Sequence, residues 1–230
     1  MATLHTEITG KIAGSKSFRR AAIISANAAP ASSFDDNEFT VIFRSPDVNV
    51  WEDRKTGTLM MQIANSNNPA VWLESVRAGV QLGANEILFV GSGISTDEKT
   101  PFSGCIVTNH VNVSGENPLI GTNDESFGVR FPDMSNLYHP SMTGRLKKCS
   151  IGETLTEGGL LVCCGENAAT NLEKRIAERP EIKVVSRDVA FGAIAAKHAG
   201  IPSAAVVFYP KAGLETVIGL IREFFQIKRG

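Results

Sequence analysis

Asn109-His-Val-Asn-Val-Ser-Gly-Glu-Asn-Pro-Leu-Ile-Gly-Thr-Asn-Asp-Glu-Ser-Phe-Gly-Val-Arg-Phe-Pro-Asp-Met-Ser-Asn-Leu-Tyr138 is the least ordinary stretch of this chain. The run Cys105-Ile-Val-Thr-Asn-His-Val-Asn-Val113 leads into it, and the alternating second half of that run reads as a strand. Turn formers then crowd together at Ser114-Gly115, Asn117-Pro118, Gly121 to Asp124 and Phe131-Pro132. Phe127, Phe131, Met134 and Tyr138 are embedded in the same loop. A long loop of this kind inside a compact domain is usually functional or a subunit contact.

Working outward, short apolar runs alternate with helical patterns. Ala21–Ser25, Phe39–Phe43, Val48–Trp51, Gly57–Gln62, Glu86–Val90, Leu160–Cys164, Ile182–Val185 and Ala204–Phe208 read as strands. Ala70–Leu82 is an amphipathic helix closed by Gly83, and Asn171–Arg179 is a short helix stopped by Pro180. Val189–His198 is helical up to Gly200, and Leu214, Val217, Ile218, Ile221 and Phe225 line one face of a closing helix. Residues 1–20 read as an irregular lead-in or a peripheral helix. Glu52 to Thr56 reads as a solvated hairpin tip, and Gly91 to Ser95 as a tight turn. These elements predict an α/β fold, a mixed, twisted and partly curled central sheet flanked by helices, in a single domain over 1–230.

The chain has 230 residues and a formal charge of −1. That balance gives no electrostatic case for nucleic acid or an anionic membrane. No apolar run approaches the roughly 18 residues of a membrane span, and the first residues lack the apolar core of a secretory signal. The four cysteines show no metal-finger spacing. A cytoplasmic protein without a metal is the expectation.

Glu116 to Ser135 resembles, nearly residue for residue, a segment of the trimeric purine nucleoside phosphorylase family, which includes methylthioadenosine phosphorylases. Weaker similarity runs from Ala21 to about Lys211. The resemblance implies a nucleoside phosphorylase-like fold, a homotrimer, a purine nucleoside as ligand, and no cofactor beyond phosphate as co-substrate. It also implies that the loop lies beside a neighbouring subunit's site, with Phe127 crossing over to close the sugar pocket. The family's phosphate serine falls at Asn27, and its second phosphate serine at Asp188, beside Arg187. Its phosphate arginine falls at Ala64. Its turn lining the base and phosphate falls at Ser92. Its purine aromatic and glutamate fall at Ala168 and Ala169, with Glu166 displaced in register, and its purine asparagine falls at Lys211. Read alone, the small-residue loop Ala26 to Ser33 is a plain connection.

The chemistry implied needs cations and hydroxyls around phosphate and a donor on the departing purine. Ala64 carries no charge, and an aspartate about 4 Å from phosphate repels it by roughly 1–4 kcal/mol. Arg187 is placed to neutralise Asp188 or to reach phosphate itself. The sequence therefore reads as a purine nucleoside phosphorylase-like protein with a degenerate site, acting in binding, scaffolding or as a structural homotrimer. The alternatives are an active phosphorylase using Asn27, Ser92, Arg187 and Lys211 under Phe127, or a nucleoside hydrolase or sensor.

Overall fold

The computed structural model describes residues 3–12, 16–163, 165, 168–210 and 213–227. In chain order the strands are β1 (Ala21–Ser25), β2 (Phe39–Arg44), β3 (Val48–Asp53), β4 (Leu59–Ile63), β5 (Ile87–Ser92), β6 (Ile94–Ser95), β7 (Gly104–Asn112), β8 (Leu155–Val162), β9 (Ile182–Val185) and β10 (Ser203–Phe208). The helices are α1 (Leu4–Ile12), α2 (Pro69–Gln81), α3 (Pro140–Lys148), α4 (Asn171–Ala177), α5 (Val189–His198) and α6 (Leu214–Gln226).

The strands form one ten-stranded sheet in the order β2-β3-β4-β1-β5-β10-β7-β8-β9-β6. β4, β1, β5 and β10 run parallel, β10 meets β7 antiparallel, and β7, β8 and β9 are again parallel. The sheet is therefore mixed, as the sequence predicts. Strand side chains alternate between its faces. In β1, Ala21 and Ile23 join the core under α1, α2 and α5, while Ala22 and Ile24 join the core under α3 and α6.

Local signals set the helices. α2 starts where Asn68 Oδ1 accepts the Ala70 N–H at 3.0 Å, with Pro69 pre-set in the first turn. It ends at Leu82, followed by Gly83 at φ 95°. α4 opens on a capping box between Thr170 and Glu173.

The lead-in takes the helical one of its two expected forms: it contains α1, whose His5, Ile8 and Ile12 are buried, with His5 Nδ1 2.7 Å from Glu74. Three local readings change. Asp53 is no solvated tip: it is fully buried, and Arg222 of α6 holds it through Nε (2.8 Å) and a terminal nitrogen (3.1 Å). An isolated hairpin pattern cannot reveal a cation 169 positions away. α3 lies between Tyr138 and β8, where no helix was expected. Its three basic residues hide an apolar face, and one of them, Arg145, is itself buried 2.5 Å from Glu86.

The third change shapes the site. Gly91 to Ser95 is not a tight turn. The chain stays extended, and Gly93 alone separates β5 in mid-sheet from β6, which pairs antiparallel with β9 at the far rim. One strand thus belongs to two places in the sheet, and the half from β5 to β9 curls until it closes on itself. A Cβ at Gly93 would lie 2.6 Å from the Val185 carbonyl oxygen and 2.8 Å from Val207 Cγ1. The closure is that tight, so a residue without a side chain is required.

Candidate functional site

A cavity of about 260 Å³ opens where the sheet closes. It lies off the carboxyl ends of β1, β4, β5, β9 and β10, the usual position of ligand sites in open α/β sheets. Asn27 follows β1, Ser66 and Asn67 follow β4, Ser92 ends β5, and Ser186, Arg187 and Asp188 follow β9. Ile94, Val185 and Pro210 supply its apolar side. Four candidates scattered through the sequence, Asn27, Ser92, Arg187 and Asp188, are therefore brought together.

Asp188 is the centre of the arrangement. It caps the N-terminus of α5 with its side chain and is 3% exposed. Its Oδ1 accepts from the Ser186 hydroxyl at 2.7 Å and the Val189 N–H at 2.8 Å. Its Oδ2 accepts the Ser92 N–H at 3.3 Å, and the nearby Ser25 hydroxyl favours its ionised form. Burial pushes this carboxyl above the usual aspartate range, against the pull of those donors. Gly91 makes room, since a Cβ there would lie 2.5 Å from Asp188 Oδ1. The expectation of an aspartate facing a ligand thus changes: the carboxylate turns inward and takes up donors that a helix N-terminus and a strand end would otherwise offer to an anion.

Arg187 pairs with Glu116, and it points no uncommitted charge into the cavity. Its guanidinium donates to Glu116 at 2.7 Å, tying the 113–139 loop to the pocket wall. The N–H of Asn27 donates to Ser25 Oγ at 3.3 Å, while the Asn27 side chain makes no hydrogen bond to any described residue. Phe127 is not brought to the cavity of its own chain. Its ring packs edge-on to His5 at 5.6 Å, with the Arg77 guanidinium 4.9 Å from its centre. Lys211 and Glu166 lie outside the described residues.

Ala64 is exposed, and Ala168 packs against the small cluster of Leu161, Cys163, Ile182 and Val185 rather than lining the cavity. Ser25, Ser66 and Ser186 are participants that sequence reasoning missed; the signal available was a serine ending or following a buried strand. His110 bonds to Tyr138 at 3.2 Å and His198 to Asn123 at 3.0 Å, both in the packing of the loop. Among the described residues no group of three His, Cys, Asp or Glu could hold a metal, and no helix is long and apolar enough to cross a membrane.

The family model described as the phosphorylase superfamily matches residues 63–209, the span that carries Ser92, the long loop, Arg187 and Asp188. The chain belongs to the phosphorylase superfamily. Purine nucleoside phosphorylase 1 of Geobacillus stearothermophilus is 32% identical over 129 residues, 55% of this chain and 47% of that protein. Purine nucleoside phosphorylase of Mus musculus is 33% identical over 103 residues, 42% of this chain and 36% of its own length. These matches span about half or less of the curated relatives. Among solved structures, a Schistosoma purine nucleoside phosphorylase in complex with guanosine superposes with a TM-score of 0.77 at 17% identity, covering 100% of both chains. A purine nucleoside phosphorylase from Schistosoma mansoni in complex with acetate gives 0.76 at 16% identity, covering 98% and 97%. Family and fold thus agree with the resemblance carried by Glu116 to Ser135, and these solved structures share the fold described above.

Proposed function

We propose that this chain is a purine nucleoside phosphorylase-like protein whose phosphate seat is filled by its own Asp188, so that phosphorolysis is impaired and the protein serves in binding, scaffolding or as a structural homotrimer. One observation carries the reading. The Ser186 hydroxyl and the Ser92 and Val189 N–H groups all converge on a single buried carboxyl, with the Ser25 hydroxyl close by. Phosphorolysis needs a phosphate held under the anomeric carbon by donors of this kind. Here those donors are occupied, and whenever Asp188 is ionised it repels a phosphate about 4 Å away by roughly 1–4 kcal/mol.

Ala64 and Ala169 support the same reading, because neither side chain can donate or carry charge. A missing transition-state donor costs about 2.7–4 kcal/mol. Two independent losses would slow the reaction by roughly four to six orders of magnitude, although groups acting as a unit do not add simply. The loop supports the assembly. Ile120, Val129 and Phe131 are exposed by 75%, 67% and 85%, a set of apolar groups suited to a subunit contact.

The test is inosine cleavage by the full chain, with and without phosphate, followed by chromatography of the base. No turnover is expected. Phosphate-dependent cleavage at a typical enzymatic rate of about 1–1000 per second would overturn the proposal, and release of base without phosphate would assign a hydrolase instead. Sedimentation equilibrium tests the trimer.

A further inference from the structure

We infer that the pocket at the sheet closure takes an uncharged, polyhydroxylated ligand of the size of one sugar ring, at the place where the resemblance puts an anion. The inference rests on the reading that Asp188 fills the phosphate seat, and adds what the remaining space recognises.

The free hydrogen-bonding groups come first. The side chains of Asn27, Ser66, Asn67 and Ser92 line the cavity and make no hydrogen bond to any described residue. Each amide offers donors beside an acceptor, and each hydroxyl is both. These groups are all neutral, so they bring no charge to offset an anion's loss of water. A sugar hydroxyl donates and accepts, and can satisfy both roles. The opposite side is apolar, from Ile94, Val185 and Pro210. One polar and one apolar wall match a sugar ring, which carries hydroxyls at its edge and C–H groups on its face.

Charge and size point the same way. Among the described residues the cation lining the pocket is Arg187, which is already 2.7 Å from Glu116, and the carboxyl of Asp188 lies in the floor. The local balance of these three groups is negative when Asp188 is ionised, which disfavours a second anion. A volume of about 260 Å³ falls below the roughly 300–1,000 Å³ of drug-sized sites. A nucleoside together with phosphate exceeds it, whereas a pentose ring does not. Ala168 and Ala169, the matched base positions, are not part of the lining.

Calorimetric titration of the full chain with D-ribose, and separately with inorganic phosphate at the same ionic strength, tests this. Ribose is expected to bind and phosphate to give no heat of binding. Asn67→Ala and Ser92→Ala should each weaken ribose by about 2- to 10-fold, the loss of one hydrogen bond. Asn67 lies on an exposed loop, so N67A keeps the test open if S92A does not fold, with circular dichroism as the control. Three outcomes would overturn the inference: no ribose binding by folded protein, phosphate binding that S92A weakens, or ribose binding unchanged in both variants. Failure of the underlying reading looks different, since it shows as phosphate-dependent inosine cleavage.

Discussion

Replacing Asp188 by Asn probes the buried carboxyl directly. The amide oxygen keeps the bonds from the Ser186 hydroxyl and the Val189 N–H, so the cap of α5 survives. The amide nitrogen then faces the Ser92 N–H, donor against donor, where Oδ2 accepted at 3.3 Å. A stranded buried N–H costs about 1–3 kcal/mol. Against that, the variant no longer has an ionisable group held in a desolvated site. The sign of the pH dependence follows. Because the folded-state pKa is raised, the folded protein binds more protons than the unfolded chain above the unfolded value of about 3.9. The stability contributed by Asp188 is therefore greatest at low pH and declines as pH rises through the folded pKa. Asn has no such slope, so the penalty of D188N is largest in mild acid and shrinks towards neutrality. Urea denaturation at several pH values, followed by the fluorescence of buried Trp51 and Trp72, measures it. A penalty that grows with pH would mean that the donors win over burial and that the carboxylate is held as an ion, which refutes the reasoning.

Other outcomes follow from the same geometry. Arg222→Ala leaves fully buried Asp53 without its two guanidinium bonds and should cost about 3–5 kcal/mol in denaturant; a loss under about 1 kcal/mol would show that the pair is not needed to hold α6. Gly93→Ala forces a Cβ against the Val185 carbonyl and Val207; at about 1–3 kcal/mol for overpacking and roughly 2–4 °C per kcal/mol in a chain of this size, thermal denaturation should shift down by several degrees, and an unchanged midpoint would contradict the tight closure. Burial pushes the Cys105 and Cys149 thiols up to about 12, so a disulfide reagent at pH 8 should label them, mapped by mass spectrometry, only after unfolding; rapid labelling of native protein would show them reachable as thiolates.

The middle of the sheet was legible because its central strands are buried on both faces and read as unbroken apolar runs, as in Ala21 to Ser25 and Ile87 to Val90. Helices with strong punctuation, such as α2 between Asn68 and Gly83, were legible too. α3 was not: Arg145 and the lysines around it look like a solvated face until Glu86 is seen beneath Arg145. The candidate site was half legible. Resemblance picked out Asn27, Ser92, Arg187 and Asp188, and the fold gathers them. The direction of Asp188 was hidden, because a residue that follows a strand and opens a helix can face outward as a ligand or inward as a cap. Only its partners Ser92 and Ser186, far apart in the chain, decide between the two.

Threading one strand from the middle of the sheet to its rim has a mechanical consequence. Ser92 holds the interior carboxyl, and two residues later Ile94 is already fastened to Val185 at the edge. The rim cannot peel away without tugging on the anchor of α5, and α5 cannot shift without loosening the rim. Edge and interior, which in most sheets fluctuate on their own schedules, are here geared to each other through a single glycine.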